Sequence, residues 1–393
     1  MPHSNFDTKR EGKRVLVIGM LDSVHFARWL QQFEDQDIDF VIFSAKKFRR
    51  ICPLLKEILN NNNLARYEIP LCGPFSLFSG YLDFITFVLP QRILGLTTRS
   101  KYLSSILRKS HFEYIHALEI QGAGYLISSV NPNLYSKSKV IITNWGSDIY
   151  FYKDDPGHRI QIERTLAVAD FYSAECDRDY VLAREIGFTG KDLPCIPNAG
   201  GFSVSNNLKT YSLTSERRQI LVKGYGNTFG RADLVVKNLG YLMAKYPQYV
   251  FHFYSVTEDT LQLLSDLPDQ LVSKVKITTV ANKLGHSEMI SEFGKSKIYI
   301  GCSSSDGIST SFLESLMTGC YPIQTDTSCA NEWVKKGAIA SIIPVDEETI
   351  LREIERIILE EDYVDRAATI NHRVAQNFLS KSVVKEQAIK FYA

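Results

Sequence analysis

Short apolar runs, closed by glycine or a polar residue, alternate along this chain with stretches of helical periodicity. Residues 14–19 (Arg-Val-Leu-Val-Ile-Gly) and 139–143 (Lys-Val-Ile-Ile-Thr) lack the polar residue at every second position that a half-exposed strand would show. Strands of that kind are buried on both faces, as in a parallel sheet covered by helices. Residues 22–33 between them place apolar side chains at helical spacing, with Asp22 or Ser23 to cap. Further strands read at 39–44, 114–119 and 169–174, and helices at 100–110, from an opening at Gly122 and Gly124, and at 178–187. Regular alternation of this sort specifies an α/β fold.

The periodicity breaks at residues 195–201 (Cys-Ile-Pro-Asn-Ala-Gly-Gly) and in the polar segment 203–215. It then restarts, with strands at 219–223, 249–254, 275–280, 298–302, 321–324 and 342–344. A chain of 393 residues exceeds one ordinary core, so two domains are expected. The expectation is two tandem Rossmann-like domains facing a central cleft, over residues 14–205 and 206–370. Residues 1–13 read as a flexible lead, and residues 371–393 as a helix long enough to pack back on the first domain.

Composition narrows the class. With 45 basic against 44 acidic side chains, no global charge favours nucleic acid. The seven cysteines form no Cys-x-x-Cys pair, which suggests neither a zinc site nor a disulfide framework. Residues 1–13 are polar, without the apolar core of a secretory signal, so the expected location is the cytoplasm. Residues 71–96 are rich in Phe, Leu and Tyr but are interrupted by Gly73, Pro74, Gly80, Asp83 and Pro90, and make a poor spanning helix. Two readings stay open for them: a core or inter-domain helix, or a surface that touches lipid at the inner face of a membrane. No Gly-x-x-x-x-Gly-Lys-Ser/Thr loop and no Gly-x-Ser-x-Gly elbow occurs, which removes hydrolases of those types.

Residues 298–326 carry the most chemistry. An apolar run to Gly301 empties through Ser303, Ser304, Ser305, Asp306 and Gly307 into a short helical segment that Gly319 ends. A strand that turns into a helix N-terminus aims backbone N–H groups and the positive end of the helix dipole at one spot, which suits a phosphate. Asp306 and Glu314 bracket it with seven residues between them. An ordinary strand–turn–helix of an α/β sheet fits the same pattern. In the first half, His25 falls in the first turn of a helix and His116 and Glu119 at a strand's carboxyl end, where open α/β folds bind ligands.

This stretch resembles the Glu-x₇-Glu motif of GT-B glycosyltransferases of the retaining, family-four (group 1) kind. Residues 197–200 (Pro-Asn-Ala-Gly) resemble that family's interdomain turn, Ile115-His116-Ala117 its strand-end histidine, and Trp145-Gly-Ser-Asp148 a His-Gly-Ser-Asp loop. The resemblance implies transfer of a sugar from a nucleotide-diphosphate donor to a hydroxyl of a glycan or lipid-linked acceptor, with retained configuration and no metal or other cofactor. It places the donor in the second domain and the acceptor in the first. Lys223 and Arg231 are the candidate cations, in reversed order and at wider spacing than the family shows, and Gly307, Ile308, Ser309 and Thr310 the amide cradle. By the resemblance Glu314 holds the ribose hydroxyls, and Asp306, one methylene shorter than the usual glutamate, reaches toward the donor sugar. His116 and His25 orient hydroxyls or move a proton, while Asp148 and Glu119 bind the acceptor. Surface polysaccharide or glycolipid synthesis is the implied setting. Two other readings remain: a nucleotide-sugar epimerase on the same architecture, and a non-catalytic nucleotide-sugar binding protein.

Overall fold

A computed structural model describes residues 12–46, 51–61, 66–68, 94–204, 208 and 211–393. Residues 1–11 of the lead and all but the last three residues of the Phe-rich segment 71–96 lie outside them, and Lys13 of the expected lead already belongs to the first strand. Two compact units divide the chain. The first comprises the chain to Ala174, Asp179–Ala199 and Gln387–Ala393, and the second Glu175–Arg178 and Gly200–Glu386.

The first unit holds a seven-stranded parallel sheet. Its strands are β1 (Lys13–Gly19), β2 (Ile38–Ser44), β3 (Arg66–Glu68), β4 (Tyr114–Leu118), β5 (Lys139–Thr143), β6 (Phe171–Ser173) and β7 (Lys191–Asp192), in the order β3-β2-β1-β4-β5-β6-β7. Val15, Leu16, Val17 and Ile18 of β1 are all fully buried, as an apolar run without alternation requires. The second unit repeats the plan with β8 (Gln219–Lys223), β9 (Val250–Val256), β10 (Lys276–Thr279), β11 (Ser296–Gly301), β12 (Tyr321–Thr325) and β13 (Ser341–Ile343), ordered β10-β9-β8-β11-β12-β13. Each order reverses once, between β1 and β4 and between β8 and β11. At such a switch point the connections leave in opposite directions and open a crevice at the carboxyl ends of the strands.

Three local expectations are corrected. The strand expected to reach Glu119 ends at Leu118, because Glu119 turns to φ +86°. The helix expected to open at Gly122 and Gly124 begins as a wide turn over Ile120–Gly124, and becomes an α-helix only over Tyr125–Ser128. The closing helix expected from residue 371 is two helices, Glu361–Leu379 and Lys381–Ile389. Ser380 between them is extended and bridges to Phe202: Phe202 N donates to Leu379 O at 2.8 Å and Lys381 N to Phe202 O at 3.0 Å. A side chain at Gly201 would come within 2.5 Å of the Lys381 backbone, so this crossing needs the glycine.

Candidate active site

Lys223 ends β8, and β11 beside it ends at Gly301 with Ile300 paired to Val222, which puts both strand ends at the switch point of the second sheet. The turn that follows β11 is held on three sides. Ser303 N donates to Thr325 Oγ1 at 2.9 Å, Ser304 N to Phe229 O at 2.8 Å, and Cys329 N to Gly307 O at 2.7 Å. The Arg178 guanidinium donates to Asp306 O at 3.0 Å. The turn feeds the helix Thr310–Thr318 through an extended Ser309, and Gly319 ends that helix at φ +71°, as expected of a left-handed cap.

Three of the expected residues, Lys223, Asp306 and Ser309, come together here. Lys223 Nζ stands 3.5 Å from Ser309 Oγ and 3.8 Å from Asp306 Oδ2, over the Tyr225 ring at 4.9 Å. Burial alone would lower the Lys223 ammonium, but Asp306, Tyr299, Tyr225 and Glu314 outweigh it and hold the group above its ordinary value. Lys223 therefore stays charged beside a helix N-terminus, which together make an anion site. Tyr299 Oη lies 3.3 Å from Ser309 Oγ, and Tyr254 Oη donates to Ser311 Oγ at 2.6 Å, fixing the first turn of the helix from below. Gly307, Ile308 and Ser309 are buried and Thr310 is half-buried. Glu314 is buried further along the same helix, its Oε1 3.1 Å from His286 Nε2. Arg231, the other expected cation, is already paired. Its guanidinium is committed to Asp233 through Nε–Oδ1 at 2.9 Å and Nη2–Oδ2 at 3.1 Å.

The first unit places its expected residues differently. His116 is fully buried, its Nδ1 2.8 Å from Tyr392 Oη and its Nε2 2.6 Å from Thr143 Oγ1. Trp29 Nε1 donates to the same Tyr392 hydroxyl at 3.2 Å, which leaves the hydroxyl to donate a hydrogen bond to Nδ1 and the neutral ring to donate from Nε2 to Thr143. Both ring nitrogens are thus engaged within the core. This corrects the expectation that His116 touches substrate. Burial pushes its imidazole down to about 3, so it is neutral throughout the physiological range. His25 sits in the first turn of the helix Val24–Gln31, which Ser23 caps, with its ring edge-on to Trp145 at 5.9 Å.

Glu119 and Asp148, expected at the acceptor, serve the backbone. Glu119 accepts from Gly122 N at 2.8 Å and Ala123 N at 2.5 Å. Asp148 Oδ2 accepts from Ile120 N at 2.8 Å and Trp145 N at 3.0 Å, and so joins the loops after β4 and β5. Burial pushes both carboxyls up, and the Glu119 charge pushes Asp148 further.

Three buried side chains, Cys329 and Glu332 from one helix start and the distant Cys176, offer ligand atoms within 4.8 Å of one another. The Glu332 carboxylate is already the cap of a helix start, accepting from Asp177 N at 2.8 Å and Arg178 N at 3.0 Å. His286, Tyr254 and Tyr299 are the site residues that sequence reasoning misses. His286 lies 28 positions from Glu314, and its only local mark is that it follows a glycine at a helix start.

Residues 14–175 match the family described as glycosyl transferase 4-like. No curated protein matches the sequence. Among solved structures, a glycosyltransferase from Rickettsia africae ESF-5 is similar at 15% identity and TM-score 0.63, covering 98% of each chain. Sucrose-phosphate synthase from Thermosynechococcus elongatus is similar at 13% identity and TM-score 0.70, over 97% of this chain and 98% of that one. HepE from Anabaena, solved in complex with UDP and glucose, is similar at 11% identity and TM-score 0.65, over 96% of this chain and 98% of that one.

Proposed function

We propose, for a chain that has the GT-B fold and a glycosyl transferase 4-like first unit, that it is a retaining, metal-independent glycosyltransferase. It moves a sugar from a nucleotide-diphosphate donor to a hydroxyl of a glycan or lipid-linked acceptor, in surface polysaccharide or glycolipid synthesis. The observation that carries this reading is the convergence of Lys223, Asp306 and Ser309 on one helix N-terminus at the switch point of the second sheet, with Glu314 buried further along the same helix. HepE, with UDP and glucose bound, supports a nucleotide-sugar donor.

The chemistry follows from where charge appears. When the bond between the anomeric carbon and the diphosphate oxygen breaks, negative charge grows on the departing diphosphate. A fixed ammonium and helix-terminal N–H groups stabilise that charge more than they stabilise the intact donor, which lowers the barrier. Lys223 and the first turn of Thr310–Thr318 supply both. Asp306, 3.8 Å from Lys223, is the counter-ion that an incoming diphosphate replaces, and this frees its carboxylate for sugar hydroxyls. Transfer to a glycan or lipid-linked acceptor at a membrane's inner face stays part of the proposal. Among the described residues no helix is long and apolar enough to cross a membrane.

Incubation with a panel of nucleotide sugars and acceptors tests the reading. Lys223→Ala should lower kcat by about 10²-fold or more, the scale of losing one preorganised electrostatic contact. Glu314→Ala should abolish donor turnover, and EDTA should leave the wild-type rate unchanged. A fully active Glu314→Ala protein would sink the site assignment. Donor conversion without acceptor would point to the epimerase reading, and saturable nucleotide binding without turnover to a binding protein.

A further inference from the structure

Glu314 is buried in the middle of a helix whose neighbouring side chains, Phe312, Leu313 and Leu316, are apolar and fully buried. A carboxylate in such a place costs free energy unless it is partnered. Its Oε1 has His286 Nε2 at 3.1 Å, while among the described residues Oε2 accepts no hydrogen bond. His286 opens the helix His286–Lys295 beyond the edge strand β10, and its side chain is 50% exposed. The pair thus has one oxygen fixed by a donor that reaches solvent and a second oxygen offered to whatever enters. Burial of Glu314 without a second protein partner is what a ligand-directed acid requires.

We infer that His286 is a positioning residue. It fixes the Glu314 carboxylate so that Oε2 meets a ribose hydroxyl of a nucleoside diphosphate, a step that rests on the donor reading above. Ser309 caps the helix that carries Glu314 five residues further on, about 7–8 Å along its axis. That separation matches the span from the phosphates held at Lys223 and Ser309 to the ribose hydroxyls of the same nucleotide. Without His286 the carboxylate loses the donor that fixes Oε1 and is free to rotate away from the sugar edge.

Calorimetric titration of the full chain with UDP, ADP and GDP and their 2′-deoxy counterparts tests this. The wild type should prefer the ribonucleotide it binds best over its deoxy form. His286→Ala should weaken that ribonucleotide by about 10-fold, the loss of one charge-assisted hydrogen bond, and flatten the ribo/deoxy preference toward that of Glu314→Gln. His286→Gln, which keeps an N–H donor, should restore part of both. A half-exposed ring at a helix start is not needed for folding, and unchanged melting of the variants confirms that a loss is not structural. Wild-type affinity and preference in His286→Ala would overturn the inference. Nucleotide binding that is lost in Lys223→Ala but untouched in His286→Ala would overturn it while leaving the donor reading intact. A wild-type chain that binds none of the nucleotides would overturn both.

Discussion

At the scale of single residues, position in the sequence and position in the chemistry separate. His116 reads from the sequence as a ligand-facing group near a strand's carboxyl end, yet it is the middle residue of β4. Its neighbours decide otherwise: Tyr392, Thr143 and Trp29 surround it, and its imidazole is held neutral, down at about 3. Two of these partners lie far from it in sequence, so no local signal marks the ring as buried. The lowered value has a consequence for stability. An unfolded chain protonates this histidine below about 6.5, while the native chain refuses the proton until about 3. The stabilisation is therefore full above the unfolded value and is lost as pH falls toward the folded one. Going from pH 7 to pH 5 should remove about 2 kcal/mol through this group. His252, held down at about 4, acts in the same direction, but its effect is common to wild type and variant. Urea unfolding of wild type and His116→Gln at the two pH values isolates His116. The variant should be less stable at pH 7 and lose less on acidification, and equal losses would show that the ring is not excluded from water.

At the scale of elements, the helix Thr310–Thr318 is legible because its signals are local: a turn of serines and glycine, a capping residue and a terminal glycine. The loops after β4 and β5 are not, because two acids that read as ligand-binding groups are spent on N–H groups of the turns they stand in. Glu119 keeps a left-handed backbone that costs of order 1–3 kcal/mol and is offset by its two hydrogen bonds to Gly122 and Ala123. Asp148 gives a test of this structural role. Asp148→Ala leaves the Ile120 and Trp145 N–H groups without their acceptor and should cost about 2–4 kcal/mol. Asp148→Asn keeps an oxygen for both and removes the repulsion from Glu119. Because burial and Glu119 raise the Asp148 carboxyl, the native state favours its protonated form, and its charge weakens the fold increasingly as pH rises above the ordinary carboxylate range. The stability of Asp148→Asn relative to wild type should therefore grow with pH in thermal melts at pH 5 and pH 8. A constant difference between the two would remove the electrostatic part of this account.

At the scale of the whole molecule, both parallel sheets could be read from the chain, because strands buried on both faces leave runs of Val, Ile and Leu that no surface element shares. The link between the end of the chain and the first core could not. Tyr392 packs against Trp29, Phe33, Phe40, Tyr114 and His116, and the Tyr114 hydroxyl donates to Ala393 O at 2.7 Å. These partners are drawn from β1's neighbours, the first helix and the turn that follows it, more than 270 positions earlier, and only the folded chain joins them. The first unit accordingly lacks part of its core until residues 387–393 are in place, although its sheet is complete in sequence by Asp192. Tyr392→Phe keeps the ring and removes the hydroxyl shared by Trp29 and His116, which should cost about 1–3 kcal/mol. Tyr392→Ala also empties the space between Trp29 and Phe40 and should cost about 3–5 kcal/mol, the usual range for an aromatic ring deleted from a core. Trp29 and Trp145 belong to the first unit and Trp333 to the second, so fluorescence variants retaining one group or the other separate the two transitions. In Tyr392→Ala the transition seen by Trp29 and Trp145 should move to lower denaturant while that seen by Trp333 holds. Equal movement of both would mean that the two units unfold as one, and that the loss at Tyr392 is shared by the second sheet.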